Sequence, residues 1–438
     1  MAKILIEGGH PLRGRVRVSG AKNAVLPILA ASLLGAKGTS VIEDVPHLLD
    51  VENMMQTVAS LGAVVERVNG SVRINAERIH SVEPPPELVR RMRASFVVAG
   101  PLLARFKEAV IALPGGCNIG PRPVDLHIKG LEAMGATAVI ENGCVHFRAP
   151  REGLHGARIY LDIPSVGATQ NIMMAACLAR GQTIIENAAK EPENVDLANY
   201  LNKMGARVRG AGTDTIRIDG VPELCGATHA VIPDRIEAGT FLLAGAVMGQ
   251  GVYVENALSD HLTSLLAKLE EAGVEVEDDV SGIRVWPAQG GRLQPLDVKT
   301  HYYPAYPTDL QAQMVACLTT ARGTSTVTET VFENRFMHAA ELQRMGANIH
   351  IEGRTAIIEG VDRLYGAQVM ATDLRAGAAL VIAGLMAEGI TEVHGLHHID
   401  RGYDNLVGKF QMLGARIQRV EDDAVVEVKP GAAVASGG

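Results

Sequence analysis

An apolar-x-x-(Leu/Met/Ala)-Gly-(Ala/Val) pattern recurs six times along the chain, with its glycine at Gly62, Gly135, Gly205, Gly273, Gly346 and Gly414, 68 to 73 residues apart. Self-similarity at a near-fixed period marks repeated supersecondary units. Apolar residues at helical spacing lead up to each glycine and predict amphipathic helices over 51–61, 124–134, 195–204, 261–272, 336–345 and 405–413. A glycine just beyond the last helical residue supplies the left-handed C-terminal cap. Each cap leads into a hairpin. The clearest has alternating residues 63–68 and 72–74 around Asn69-Gly70, a pair suited to a turn with positive φ.

A second helix precedes the amphipathic one, and its composition sets the architecture. Residues 24–31, 168–179, 238–248, 310–320 and 376–386 are small and apolar nearly all round. A helix without a polar face has to be buried, and small residues let several such helices approach closely. Short apolar strands follow at 40–42, 110–112, 183–185, 252–254, 325–327 and 391–393. The unit is strand, buried helix, strand, amphipathic helix, hairpin. With the helices inside, the sheets lie outside. The predicted fold class is α/β: two inside-out α/β barrel domains, each a threefold repeat of a unit of roughly 70 residues with buried central helices and outer sheets.

Six such units exceed what one core comfortably holds, which predicts two domains of three. One is expected to span 21–232, and the other 1–20 plus 233–438, with seams at Ser19-Gly20-Ala21 and Val231-Ile232-Pro233. The cadence Ile4-Leu5-Ile6-Glu7-Gly8 to Leu12-Arg13-Gly14 matches those of 216–226 and 357–366. Unit one is accordingly expected to take its first strands from the N-terminus. The small-residue tail 431–438 reads as disordered.

Composition narrows the function. No uninterrupted apolar run reaches about 18 residues, so no membrane span is expected, and the first residues lack a signal peptide's apolar core, which makes the cytoplasm the expected location. The cysteines 117, 144, 177, 225 and 317 contain no C-x-x-C pair, which argues for free thiols and against a zinc site. A net charge of -8 and an aromatic content of 4% exclude a basic, base-stacking nucleic-acid surface. An anionic small substrate therefore needs cations gathered locally.

The mouths of the buried helices gather them. These positions carry Lys22-Asn23, Arg93-Ala94-Ser95, Ser165-Val166-Gly167, Asp234-Arg235, Asp309 and Asp373-Leu374-Arg375. Aspartate and serine there also serve as plain N-caps. A cation opposes the helix dipole, so Lys22, Arg93 and Arg375 point to ligand phosphates or carboxylates. Arg401 is either a further cation of this set or a solvated surface charge. The run from Tyr302 to Asp309, rich in tyrosine and proline, ends in one carboxylate, which near arginines can accept a proton from a substrate hydroxyl or simply cap the next helix. Glu333 and Arg335 read as structural or cleft-wall residues. The loop 114–123 places one thiol, Cys117, and one guanidinium, Arg122, among glycines and prolines ahead of a helix, where a cation and a helix N-terminus lower a thiol pKa.

Taken together, S-G-A-K-N-A (19–24), R-M-R-A-S (91–95), L-P-G-G-C-N-I-G-P-R-P-V-D-L-H (113–127), S-V-G-A-T (165–169), P-T-D-L-Q-A-Q (307–313), F-E-N-R-F-M-H (332–338), A-T-D-L-R-A (371–376) and I-D-R-G-Y (399–403) resemble the enolpyruvyl transferases nearly end to end. Within that family the resemblance is to the branch acting on a nucleotide sugar. It implies two inside-out α/β domains that close over substrate. It also implies transfer of the enolpyruvyl group of phosphoenolpyruvate to the 3'-hydroxyl of UDP-N-acetylglucosamine with release of phosphate, the first committed step of peptidoglycan synthesis. By the same resemblance Cys117 is the general acid and the target of fosfomycin, and Asp309 takes the sugar hydroxyl proton or positions that group. Lys22, Asn23, Arg122 and Arg401 hold phosphoenolpyruvate. Arg93, Arg122, Pro123, Val124, Asp125, Leu126, Ser165, Val166, Gly167, Asp309 and Val331 hold the nucleotide sugar, and Asp373 and Arg375 position the loop. No metal or organic cofactor is implied. Some relatives carry a lysine two residues before the serine of S-V-G-A-T, where this chain has Ile163-Pro164. The rival readings are the branch that accepts a shikimate phosphate, a duplicate that binds ligand without turnover, and a non-catalytic repeat scaffold, against which the three cations at the buried helix mouths speak.

Overall fold

The computed structural model describes residues 2–114 and 124–421. Its interior is built from the helices whose sequences lack a polar face. Lys22–Ala31 is buried from Ala24 onward, Val166–Ala176 from Ala168 and Arg235–Met248 from Ile236 to Ala246. Gln311–Leu318 is buried throughout, and Leu374–Met386 from Arg375 to Leu385. The last three of these pack on one another. In the other half a 3-10 turn, Arg93–Val98, runs into Ala99–Phe106, which packs on Val166–Ala176. The approach there is close enough to require glycine. A Cβ on Gly100 would lie 2.3 Å from the carbonyl oxygen of Asn171, and the Gly100 N–H instead donates to Asn171 Oδ1 at 2.6 Å.

The amphipathic helices are Leu49–Ser60, Asp125–Ala133, Pro192–Lys203, Thr263–Glu271, Met337–Arg344 and Leu406–Met412. All six capping glycines hold φ between 86° and 112°. A four-stranded sheet of one pattern accompanies five of the six units: a parallel strand, the unit's apolar strand, then two antiparallel strands, which in four of them are the unit's own hairpin in reverse order. Residues 158–160, 182–186, 215–219 and 207–209 show it plainly. The second unit has three strands, Glu108–Ala112, Cys144–Arg148 and Thr137–Glu141, with the Val110 N–H donating to Val82 O where a parallel strand would run. Among the described residues every sheet is open, and the sheets are separate from one another.

The N-terminus does not begin unit one. Lys3–Glu7 pairs with Ile390–His394 and Arg416–Val420 and completes the sixth sheet, while Arg15–Arg17 lies parallel to Val252–Glu255 and opens the fourth. Unit one takes its parallel strand from Thr228–Ala230. The cadence shared with 216–226 and 357–366 reflects an equal place in the sheet, because Lys3–Glu7 occupies the position held by Thr215–Asp219 and Thr355–Glu359 in theirs.

Buried apolar side chains fall into two clusters, one drawn from Ala21 to Val231 and the other from Ile4 to Val18 with Ile236 to Ile417. The chain crosses between them twice, side by side. Gly20 bridges Pro233, the Ala21 N–H donates to Ile232 O at 2.7 Å and the Asp234 N–H to Ser19 O at 2.8 Å. Asp234 then caps both departing helices. Its Oδ1 accepts from the N–H groups of Ile236 and Glu237, and its Oδ2 from the N–H of Lys22.

Candidate active site

Lys22 opens its helix without a side-chain cap of its own, which the Asp234 carboxylate replaces. Its Nζ lies 3.4 Å from Asp50 Oδ2. Asp50 is 4% exposed in the first turn of Leu49–Ser60 and also accepts from Arg401 Nε at 2.9 Å and Nη2 at 3.3 Å. Burial pulls the Lys22 ammonium below the usual lysine range; Asp50 opposes that shift and Arg375 adds to it. One buried carboxylate thus serves two cations from opposite halves of the chain. The surplus positive charge suits a small dianion.

Asp309 lies in the 3-10 turn Thr308–Leu310 and caps neither that turn nor the helix that follows. Its Oδ1 accepts from Arg335 Nη2 at 2.7 Å and its Oδ2 from Arg375 Nη2 at 3.1 Å. Burial alone would raise the carboxyl pKa, but Arg375 and Arg335, with Lys22, outweigh it and hold Asp309 well below the usual carboxylate range. A carboxylate so held is a weak base, so in this state it orients a partner better than it takes a proton. Arg375 sits over the ring of Tyr403, 5.5 Å from its centroid. The Tyr403 hydroxyl bonds Thr240 Oγ1 and accepts from Gln313 Nε2, which anchors the stack in the helical core. Asp373 caps its helix through the N–H groups of Arg375 and Ala376.

A second group forms around His127. Its ring meets Phe96 edge-on, its Nδ1 is 3.0 Å from Asn171 Nδ2, and a Cβ on Gly167 would lie 3.2 Å from its Cε1. Burial, with Arg93 nearby, pushes its pKa down to about 3, so the imidazole is neutral. This packing brings Arg93, the Val124-Asp125-Leu126 segment and Ser165-Val166-Gly167 to one place, with Ser165 capping its helix through the N–H of Ala168. Asn23 follows Lys22 in the first turn of its helix. Cys117, Arg122 and Pro123 lie outside the described residues. Among the described residues no group of three or more His, Cys, Asp or Glu side chains is arranged to hold a metal ion. A surface hollow of about 680 Å³ between Arg15, Tyr253 and Arg284 contains none of the predicted site residues.

Residues 6–410 match the family described as EPSP synthase (3-phosphoshikimate 1-carboxyvinyltransferase). The chain belongs to this carboxyvinyltransferase family. It is 60% identical over 423 residues to UDP-N-acetylglucosamine 1-carboxyvinyltransferase 2 of Carboxydothermus hydrogenoformans, covering 96% of this chain and all of that one. It is 57% identical to UDP-N-acetylglucosamine 1-carboxyvinyltransferase 1 of Caldanaerobacter subterraneus, over 95% and 99% of the two chains. In fold it is similar to the enolpyruvyl transferase NikO from Streptomyces tendae (TM-score 0.86, 24% identity, covering 95% and 98%). It is also similar to EPSP synthase from Acinetobacter baumannii (TM-score 0.73, 19% identity, covering 96% and 100%).

For this carboxyvinyltransferase the residues that sequence reasoning missed are Asp50, His127 as a packing centre, and Arg335 as a partner of Asp309. Asp50 had an ordinary explanation as an acid in a helix's first turn. Arg335 did carry a signal, since F-E-N-R-F-M-H stood among the matching motifs, but its charge had no visible partner in the sequence. Arg235, at another helix mouth, is bound to Glu193 Oε1 at 2.9 Å, and its guanidinium lies over Tyr303.

Proposed function

We propose that this chain transfers the enolpyruvyl group of phosphoenolpyruvate to the 3'-hydroxyl of UDP-N-acetylglucosamine and releases phosphate. Near end-to-end identity with relatives bearing that name carries the reading. The paired cations on Asp50 and the two arginines on Asp309 support it, because both substrates are polyanions.

In this mechanism Lys22 and Arg401, with Asn23 and Arg122, hold the phosphate and carboxylate of phosphoenolpyruvate. Arg93, residues 122–126, Ser165 to Gly167 and the backbone of Val331 hold the nucleotide sugar. The 3'-oxygen bonds to C2 of phosphoenolpyruvate while Cys117 delivers a proton to C3, and Asp309 orients or takes the hydroxyl proton. Loss of a proton from C3 as the C2–O bond to phosphate breaks restores the double bond, leaving the enolpyruvyl ether and free phosphate. The cations act most strongly when the domains 21–232 and 1–20 plus 233–438 close and exclude water, with Asp373 and Arg375 as the loop-positioning pair. The reaction belongs to cytoplasmic peptidoglycan precursor synthesis.

The test is phosphate release from phosphoenolpyruvate with UDP-N-acetylglucosamine and, separately, shikimate 3-phosphate, for wild type and Cys117→Ala. Release with the nucleotide sugar alone, lost in the variant, is expected. Release with shikimate 3-phosphate alone would move the chain to the other branch of its family.

A further inference from the structure

We propose that Glu329 is a positioning residue that ties the Val331 loop to Asp309. It follows the strand Thr324–Thr328 and is 1% exposed. Its Oε1 accepts the N–H groups of Val331 at 2.8 Å and Phe332 at 3.0 Å, which folds the loop back over the carboxylate. Its Oε2 accepts the Thr308 hydroxyl at 2.8 Å. Thr308 Oγ1 in turn accepts from Arg335 Nη1 at 2.7 Å, and Arg335 Nη2 donates to Asp309 Oδ1 at 2.7 Å. The Arg335 guanidinium also lies over the Phe332 ring, 5.1 Å from its centroid, so the same loop touches both Glu329 and Arg335.

The polarity of this chain is set by the groups in it. A guanidinium only donates and an ionised carboxylate only accepts. Thr308 must therefore accept from Arg335 and spend its single hydroxyl hydrogen on Glu329. A threonine or serine is the side chain that fits between them, and a displacement of the Val331–Phe332 backbone reaches Asp309 through four directional bonds in series. The assignment rests on the carboxyvinyl-transfer reading: a nucleotide sugar docking at Val331 sets the carboxylate that meets its own 3'-hydroxyl.

The experiment is steady-state phosphate release from phosphoenolpyruvate and UDP-N-acetylglucosamine, with thermal melting alongside, for wild type, Thr308→Val, Thr308→Ser, Glu329→Gln and the Thr308→Val/Glu329→Gln double variant. Thr308→Val keeps the side-chain shape without the hydroxyl. Glu329→Gln can still accept the two backbone N–H groups but presents an NH₂ where Thr308 needs an acceptor. Both should lower kcat about tenfold or more while the KM for phosphoenolpyruvate stays within about twofold. Thr308→Ser should remain within about threefold of wild type, and the double variant should be little worse than the poorer single one. Near wild-type kcat in both Thr308→Val and Glu329→Gln, an equal loss in Thr308→Ser, or additive losses would each overturn the relay while carboxyvinyl transfer stands. A wild type that releases no phosphate with this acceptor overturns the reading on which the relay rests.

Discussion

Arg401 Nε lies 2.9 Å from Asp50 Oδ1, although the two residues are 351 positions apart and are attached to different hydrophobic clusters. The contact is part of a short seam. The Leu49 N–H donates to Asp400 O, and the His47 N–H to Asp404 Oδ2. Asp50 also supports the charge on Lys22, whose ammonium is weakened by burial. Asp50→Asn removes that support, so Lys22 should lose its proton at a lower pH than in wild type. The basic limb of the kcat/KM profile for phosphoenolpyruvate should move toward acid. A basic limb at the wild-type position would show that Asp50 does not govern Lys22.

Asp309→Asn leaves Arg335 and Arg375 as buried cations that share no carboxylate. The loss of stability should be on the order of 3 kcal/mol, and turnover should fall by about two orders of magnitude. The sign of the pH effect follows from the depressed pKa. Wild type holds this contribution above the unfolded aspartate value of about 3.9 and loses it as pH falls through the lower folded value. Melting curves across the acid range should show wild type and Asp309→Asn converging at low pH. A constant gap would sink the assignment.

Glu191 is 8% exposed, has no hydrogen-bond partner at Oε2, and is pushed up to about 7, first by burial and then by Glu193. A carboxyl raised in the fold binds its proton more tightly there than when unfolded, so its ionisation opposes folding as pH rises from about 4.5 through 7. Glu191→Gln should therefore melt higher than wild type at pH 8, by an equivalent of about 1–3 kcal/mol, with the advantage gone near pH 4. Glu193, Arg235 and the Tyr303 backbone, which also act on this carboxyl, are unchanged in the comparison. An equal offset at both pH values would mean that the effect is one of packing.

Gly20 lies on the first crossing, where an added Cβ would come within 2.0 Å of the Asp44 carbonyl oxygen. Gly20→Ala should cost about 1–3 kcal/mol through forced displacement of backbone. Because Ala21 and Lys22 follow directly, activity should fall further than the melting temperature alone explains. Measuring kcat well below the variant's melting point separates the two effects, and wild-type turnover there would show that the crossing moves without disturbing Lys22.

How much could be read before folding depends on the range of each interaction. The capping glycines were visible because a left-handed residue at a helix end is a local demand, met at Gly62 as at Gly414. Lys22 and Arg375 stood out because each opposes the dipole of its own helix, again a local conflict. Asp50, Arg335 and Glu329 carried no such conflict. An acid in a helix's first turn, a basic residue ahead of a helix and a glutamate after a strand are all ordinary until their partners arrive from elsewhere.

By itself the sequence determined the repeat, its period, the two kinds of helix and the burial of one of them, because periodicity and composition act over a few turns of chain. Tertiary structure alone decided which strand completes each sheet, since Lys3–Glu7 and Thr228–Ala230 pair with strands far away whose open edges accept them. It also decided what each charge is for. Asp309 could have been a cap, and it became the meeting point of two guanidiniums because Arg335 and Arg375 lie 26 and 66 residues along the chain and only packing brings them to it.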